Sequence, residues 1–233
     1  MTTPSPDELK RQAAIAALDE IRNDMIVGLG TGSTASHFIR ELGKRVQGGL
    51  QVLGIPTSEA SRLLAGEVGV SLTSLKEHPE IDVTVDGADE VSPDLDLIKG
   101  LGGALVREKI VAHASKRVII VVDDSKMVTQ LGTRAPIPVE VVPFAVDSVM
   151  LKLVRWKGSV KIREKNGRPF VSDNGNTILD WQHDAIDDPH GTEMKLKSIT
   201  GVVDSGIFSN VAAMVIVAEG TSIRKLSRKN PGN

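Results

Sequence analysis

Five short loops punctuate the first 126 residues of this 233-residue chain, at 28–34, 56–58, 86–90, 99–103 and 123–126. Each is built from glycine, hydroxyl or charged residues, and each sits at a junction between a strand-like and a helix-like segment. The apolar runs Met25 to Leu29, Val52 to Ile55, Ile81 to Val85 and Val118 to Val122 read as buried strands. Ala35, Phe38, Ile39, Leu42 and Val46 then fall at helical spacing, as do Ala60, Leu63, Leu64 and Val68, and a further helix is expected from about Ala104 to Ala114. This alternation predicts an α/β fold, a Rossmann-like, mostly parallel sheet with right-handed crossovers. In such a sheet the loops that follow the strands converge on one edge, where ligands bind.

The rest of the chain frames that sheet. Ser5-Pro6-Asp7-Glu8 is a helix start, with a Ser cap, Pro in the first turn and Glu three residues after the cap; the helix is expected to run to about Ile21. Prolines 136, 138 and 143 mark a boundary, because proline is awkward inside central strands. Beyond it the pattern predicts helices near 147–157 and 190–199 and strands near 159–163, 169–173 and 177–181. That β-α-β-β-α-β order predicts a smaller ferredoxin-like α+β domain. Ala213 to Val217 reads as a late strand able to rejoin the first sheet, and the basic run Arg224 to Lys229 reads as a solvated or frayed end. The expected division is 1–131 with 207–233 as a Rossmann-like catalytic domain, and 132–206 as the smaller domain.

Composition removes several classes of function. Lys and Arg number 28 against 30 Asp and Glu, for a net charge of −2, and aromatic residues are only 3 % with no tyrosine. Neither a basic field nor a base-stacking platform is available, so no nucleic-acid partner is expected. Cysteine is absent, which excludes disulfides, thiolate metal sites and cysteine nucleophiles. The N-terminal residues show no basic-then-apolar leader pattern, and no apolar run approaches the ~20 residues needed to cross a bilayer. No membrane partner is expected, and the chain reads as cytoplasmic.

The loops carry the chemistry. In Gly28-Leu29-Gly30-Thr31-Gly32-Ser33-Thr34 the glycines let backbone N–H groups approach an anion at a helix N-terminus. A Walker A loop would require Gly-Lys-Ser/Thr, and no lysine is present. A dinucleotide fingerprint would put a glycine where Ser33 stands and an acid at the end of the second strand, where Pro56-Thr57-Ser58 lies instead. The loop suits a single phosphate held by Thr31, Gly32, Ser33 and Thr34; the alternative is a tight strand-to-helix turn.

Asp86-Gly87-Ala88-Asp89-Glu90 brings three carboxylates to the end of a strand. They could bind a hard cation with waters or be neutralised by Lys99, and acids clustered on a turn are otherwise usually solvated loop residues. The five histidines (37, 78, 113, 183 and 190) have no paired metal-ligand spacing, so no metal is assigned. Lys99-Gly100-Leu101-Gly102-Gly103 can aim amides at an anionic oxygen beside a charge, or serve as a plain connector. Glu108 follows, with Ala104, Leu105, Val111 and Ala112 as helical neighbours. A carboxylate in such company loses hydration, which raises its pKa and suits a general base. Arg107 has an equally apolar set of neighbours, so spacing alone does not single out Glu108, and the Arg107-Glu108-Lys109 triplet also fits a wet helix face.

Taken together, these segments resemble the type A family of ribose-5-phosphate isomerases. The resemblance rests on Gly28–Thr34, Thr57-Ser58, Asp86–Glu90, Lys99–Gly103 with Arg107-Glu108-Lys109, and Ser125-Lys126. It continues through Ile137-Pro138-Val139-Glu140-Val141, Ser172-Asp173-Asn174-Gly175-Asn176 and Gly201–Phe208, over nearly the whole chain in family order. Leu101 interrupts a glycine run that is continuous in some members. The resemblance implies interconversion of ribose 5-phosphate and ribulose 5-phosphate in the pentose phosphate pathway, without metal or organic cofactor. By position, Glu108 would be the base, Lys99 with amides of Gly100, Leu101 and Gly102 the oxyanion site, and Asp86 and Asp89, flanking Gly87 and Ala88, the groups that bind hydroxyls and assist ring opening. Thr31 to Thr34, Lys126 and Lys10 would hold the phosphate, and the protein would be a homodimer or homotetramer. Two other classes share these features: a CoA-transferase-like enzyme with a nucleophilic Glu, and a non-catalytic sugar-phosphate sensor joined to a DNA-binding module. The first helix leads directly into the sheet, which disfavours the sensor.

Overall fold

A computed structural model describes residues 4–228. Residues 1–3, where the leader pattern was sought, and Lys229 of the basic run lie outside the described residues. The first elements are α1 (Pro6–Ala17), β1 (Met25–Leu29), α2 (Ser33–Gln47), β2 (Val52–Pro56), α3 (Glu59–Glu67) and β3 (Val83–Asp86). Next come β4 (Glu90–Val91), β5 (Leu97–Ile98), α4 (Leu105–His113), β6 (Val118–Asp123), β7 (Ile137–Val141), α5 (Val146–Arg155) and β8 (Ser159–Ile162). The chain closes with β9 (Glu164–Lys165), β10 (Arg168–Pro169), β11 (Thr177–Gln182), α6 (Pro189–Lys197), β12 (Val202–Ser205), β13 (Ile207–Phe208), β14 (Met214–Glu219) and β15 (Ser222–Ser227).

By their contacts the described residues form two compact units, 4–88 with 107–126 and 211–228, and 89–106 with 127–210. These bounds differ from the sequence division, since 89–106, 127–131 and 207–210 fall in the second unit. Local pattern does not reveal the contacts that carry them there: β5 lies between β4 and β13, Glu90 accepts from the N–H groups of Gly132, Arg134 and Ala135, and Gly206 bonds both Lys99 and Pro138.

The first unit is a six-stranded sheet in the order β15-β14-β6-β3-β1-β2, parallel except for β15. Ala13, Ala14 and Ala17 of α1 and Phe38, Ile39 and Leu42 of α2 pack on Val27, Leu29, Val83, Val85, Ile119 and Val121. On another cluster Val111 of α4 packs with Ile55, Ile81 and Ile26. Helices against both faces explain why the strands read as continuous apolar runs. Ser5 caps α1 in a capping box, its side chain accepting from the Glu8 N–H while Glu8 accepts from the Ser5 N–H. α1 gives way at Leu18 to a 3-10 turn ending at Glu20.

The basic run is not a frayed end. Arg224 to Ser227 belong to β15, which pairs antiparallel with β14 at the sheet edge, and Lys225 bonds Glu20 at 3.0 Å. Alternation there is weak because five of the six strand residues are exposed. Charged side chains suit an edge strand, where they oppose pairing with other chains.

The second unit carries a four-stranded antiparallel sheet in the order β12-β7-β11-β8, with α5 and α6 as its crossovers. This is the ferredoxin-like β-α-β-β-α-β arrangement expected for the smaller domain. The strand expected at 169–173 is a correction: only Arg168–Pro169 pair, in a hairpin with β9, and Val171 makes an isolated bridge to Thr177. The loop instead turns so that Ser172, Asn174 and Asn176 donate to the buried Glu140 carboxylate at 2.8, 3.1 and 2.9 Å. Trp181, Val139, Leu153 and Leu196 lie at the centre of this unit's core.

Candidate active site

In the first unit the site is organised by close approach of β1 and β3. A Cβ at Gly28 would lie 1.8 Å from the Thr84 hydroxyl and 2.8 Å from Val111, so this glycine lets α4 sit directly against the two strands. A Cβ at Gly30 would lie 2.3 Å from the Asp86 carboxylate. That approach leaves Asp86, 2 % exposed, accepting from the Thr31 N–H at 3.1 Å and the Gly87 N–H at 2.7 Å. The acid is thereby locked in orientation at the C-terminal end of β3.

The glycine-hydroxyl loop opens α2. Gly32, at φ +101, occupies the cap position with no side-chain cap, and Ser33 behind it is exposed. The first amides of the helix are not taken by a cap, as an anion-binding end requires. The Thr31 hydroxyl is engaged elsewhere, 2.7 Å from both Thr57 and Ser58. Thr34 is buried at 9 % exposure. Lys126 follows β6 in a short 3-10 turn and is half-buried, as is Lys10 on α1.

α4 resolves the ambiguity among its three charged residues. Glu108 and Lys109 are 3 % and 6 % exposed, whereas Arg107 reaches outward to Glu59 at 3.3 Å. Burial therefore distinguishes Glu108 from Arg107, which helical spacing did not.

In the second unit Lys99 is 4 % exposed, and its ammonium lies 5.5 Å from the centre of the Phe208 ring. Its N–H donates to the Gly206 carbonyl at 2.8 Å. The glycine-rich loop then turns on Gly100 (φ +98) and Gly103 (φ +86), closed by the Gly103 N–H on the Gly100 carbonyl at 3.0 Å. Both angles lie in the left-handed region open to glycine. Asp89 accepts from the Leu101 N–H at 3.0 Å, joining one sequence-predicted acid to the loop. Leu101 and Gly102 are exposed.

Glu90 departs from the expected cluster of three acids. It is fully buried, and its carboxylate accepts from the N–H groups of Gly132, Arg134 and Ala135, each at 2.6 Å. These bonds fix the segment before β7. Among the described residues no group of three His, Asp or Glu is placed to hold a metal ion. No helix there is long and apolar enough to cross a membrane.

Sequence reasoning missed Arg163, which follows β8. Its guanidinium donates to the Gly100 and Leu101 carbonyls at 2.6 and 3.0 Å. The run Lys161-Ile162-Arg163-Glu164-Lys165 reads as a wet strand edge, and nothing local in it signals contact with a loop some 60 residues away.

A family model for ribose 5-phosphate isomerase A (phosphoriboisomerase A) matches residues 53–222. The chain belongs to the ribose 5-phosphate isomerase A family. It is 48 % identical over 236 residues to the ribose-5-phosphate isomerase A of Bradyrhizobium diazoefficiens, covering 97 % of this chain and 98 % of the relative. It is 51 % identical over 221 residues to that of Methanothermobacter thermautotrophicus, covering 94 % and 97 %. The solved ribose 5-phosphate isomerase A of Methanocaldococcus jannaschii superposes with a TM-score of 0.92 at 40 % identity, covering 96 % of this chain and all of that one. A D-ribose-5-phosphate isomerase solved in complex with phospho-erythronic acid gives 0.93 at 40 % identity, covering 98 % and 100 %.

Proposed function

We propose that this chain interconverts D-ribose 5-phosphate and D-ribulose 5-phosphate through an enediol, with Glu108 as the base that moves a proton between C2 and C1. Its family carries this activity, and the non-oxidative pentose phosphate pathway is its setting. Glu108 takes the proton from C2 of the open-chain aldose as negative charge develops on O1. It returns that proton to C1 while the O2 hydroxyl proton passes to O1, leaving the ketone at C2. No atom or electron is gained or lost overall, so the scheme calls on no redox cofactor.

Lys99 and the amides of Gly100 and Gly102 neutralise the oxyanion, while the Leu101 amide is held by Asp89. Asp86 and Asp89, with Gly87 and Ala88, bind sugar hydroxyls and assist ring opening. The α2 N-terminus with Thr31 to Thr34, helped by Lys126 and Lys10, holds the phosphate. A cytoplasmic homodimer or homotetramer completes the reading, and phospho-erythronic acid, seen bound to a relative, is expected to occupy the same site here.

The observation that carries the assignment of the base is the burial of Glu108, 3 % exposed on the first turn of α4. Loss of hydration makes a carboxylate a stronger proton acceptor, as a general base requires. In deuterium oxide, NMR should find solvent deuterium at C2 of ribose 5-phosphate and C1 of ribulose 5-phosphate. Glu108→Gln should abolish that exchange and lower kcat by about 10²–10⁴, with a smaller effect on KM. Near-wild-type turnover in a folded Glu108→Gln protein removes Glu108 from this role.

A further inference from the structure

We propose that Arg163 is a positioning residue for the reaction: it clamps the glycine-rich loop so that the Leu101 amide meets Asp89 and the Gly102 amide points toward the developing oxyanion. The inference rests on the reading of residues 99–102 as the oxyanion site.

Arg163 is held in a two-point pairing with Asp180 of β11, Nε donating to Oδ2 at 3.0 Å and Nη2 to Oδ1. The side chain is 10 % exposed, so this ion pair is more than a surface contact. With one edge fixed on the carboxylate, Nη1 is left to donate to the carbonyls of Gly100 and Leu101 at 2.6 and 3.0 Å. Lysine lacks the planar fork needed to serve a carboxylate and two carbonyls together.

These bonds set the direction of two peptide planes. The described chain has no cis peptide bond, and in a trans peptide the N–H points opposite to the C=O. The amides of Leu101 and Gly102 are therefore both turned away from the guanidinium. For Leu101 the outcome is visible, since its N–H meets Asp89 at 3.0 Å. Gly102 is exposed, and its N–H faces away from Arg163. A cation on the carbonyl also polarises the amide and strengthens its N–H as a donor.

A second contact from the same region holds the other end of the loop. A Cβ at Gly103 would lie 2.4 Å from the Phe170 ring, whose residue donates its N–H to the Arg163 carbonyl at 2.8 Å. The segment from β8 to β11 thus grips the loop at both ends. Removing an oxyanion donor outright costs about 10²–10³ in rate, so misaiming the Gly102 amide should cost less.

Arg163→Met is expected to lower kcat by about 10–100-fold while KM for ribose 5-phosphate changes less than about threefold. The affinity of phospho-erythronic acid, whose carboxylate mimics the enediolate oxygens, should fall by the same factor as kcat. Arg163 and Asp180 line an open groove of about 780 Å³, which lets a small cation in. Added guanidinium should therefore restore activity to Arg163→Ala by about tenfold or more, and ammonium at the same concentration should not. If Arg163→Met fails to fold, Arg163→Lys carries the test, with the same loss in kcat at unchanged KM. A kcat within twofold of wild type in the folded variant overturns the clamp, and so does an equal loss in kcat/KM caused by KM alone. Lys99→Met separates the two readings: a large loss there beside a normal Arg163 variant refutes only the clamp, whereas normal activity in both refutes the oxyanion site itself.

Discussion

Glu90→Gln separates two incompatible accounts of the acidic turn at 86–90. The Glu90 carboxylate is fully buried and accepts three backbone N–H groups at 2.6 Å, from Gly132, Arg134 and Ala135. Glutamine keeps one carbonyl oxygen, which can still serve Arg134 and Ala135, both of which now bond the same oxygen, Oε1. Its NH₂ then faces the Gly132 N–H, donor against donor. Hydrogen bonds to a charged acceptor contribute about 1.5–3 kcal/mol and neutral ones about 1. Losing the Gly132 bond and weakening the other two amounts to about 2.5–7 kcal/mol. For a chain of this length that is a fall in Tm of roughly 5–28 °C. Urea and thermal unfolding followed by circular dichroism would measure it, beside kcat at 25 °C. The structural account expects a destabilised protein with kcat within about threefold of wild type. A stability change below about 0.5 kcal/mol, or a collapse of kcat at unaltered stability, refutes it and gives Glu90 a part in the site's chemistry.

Two further outcomes are expected. Ser33→Ala, at the exposed start of the uncapped α2, should raise KM for ribose 5-phosphate while barely changing the slow reaction of free ribose; equal impairment of both sugars would show that the loop is not gripping phosphate. Asp82 accepts from the Ile26 N–H at 2.8 Å and pairs with Lys116 at 2.9 Å, and these contacts, the backbone bond first, hold its carboxyl below the ordinary value of 3.8. A depressed carboxyl pKa contributes stability that is present above that ordinary value and is lost as pH falls through the folded one. The stability advantage of wild type over Asp82→Asn should therefore hold at neutral pH, begin to decline near pH 3.8 and vanish only as pH falls through the lower folded value, as read by urea unfolding across pH; an advantage independent of pH would refute the linkage.

The parallel sheet and its loops were legible in the sequence because their signals are local. An apolar strand covered on both faces, a capping box at Ser5 to Glu8 and a glycine loop before α2 each lie within a few consecutive residues. The type and order of most elements followed, and so did the residues at the strand ends. Helical spacing left Glu108 and Arg107 equivalent; packing of α4 against the strands, permitted by the absence of a side chain at Gly28, buried one and sent the other outward to Glu59.

What only the tertiary structure decided depends on partners distant in the chain. Glu90 looks like the third acid of a cluster until its carboxylate meets amides 42 to 45 residues away. Arg163 looks like one charge in a wet strand until it meets carbonyls 62 and 63 residues before it. The run beginning at Arg224 resembles a loose tail until β14 supplies its backbone partners. In all three the immediate neighbours in sequence give no sign of the distant partner. Its role comes from backbone N–H and C=O groups, which every residue carries and which no sequence pattern distinguishes until the fold has placed them.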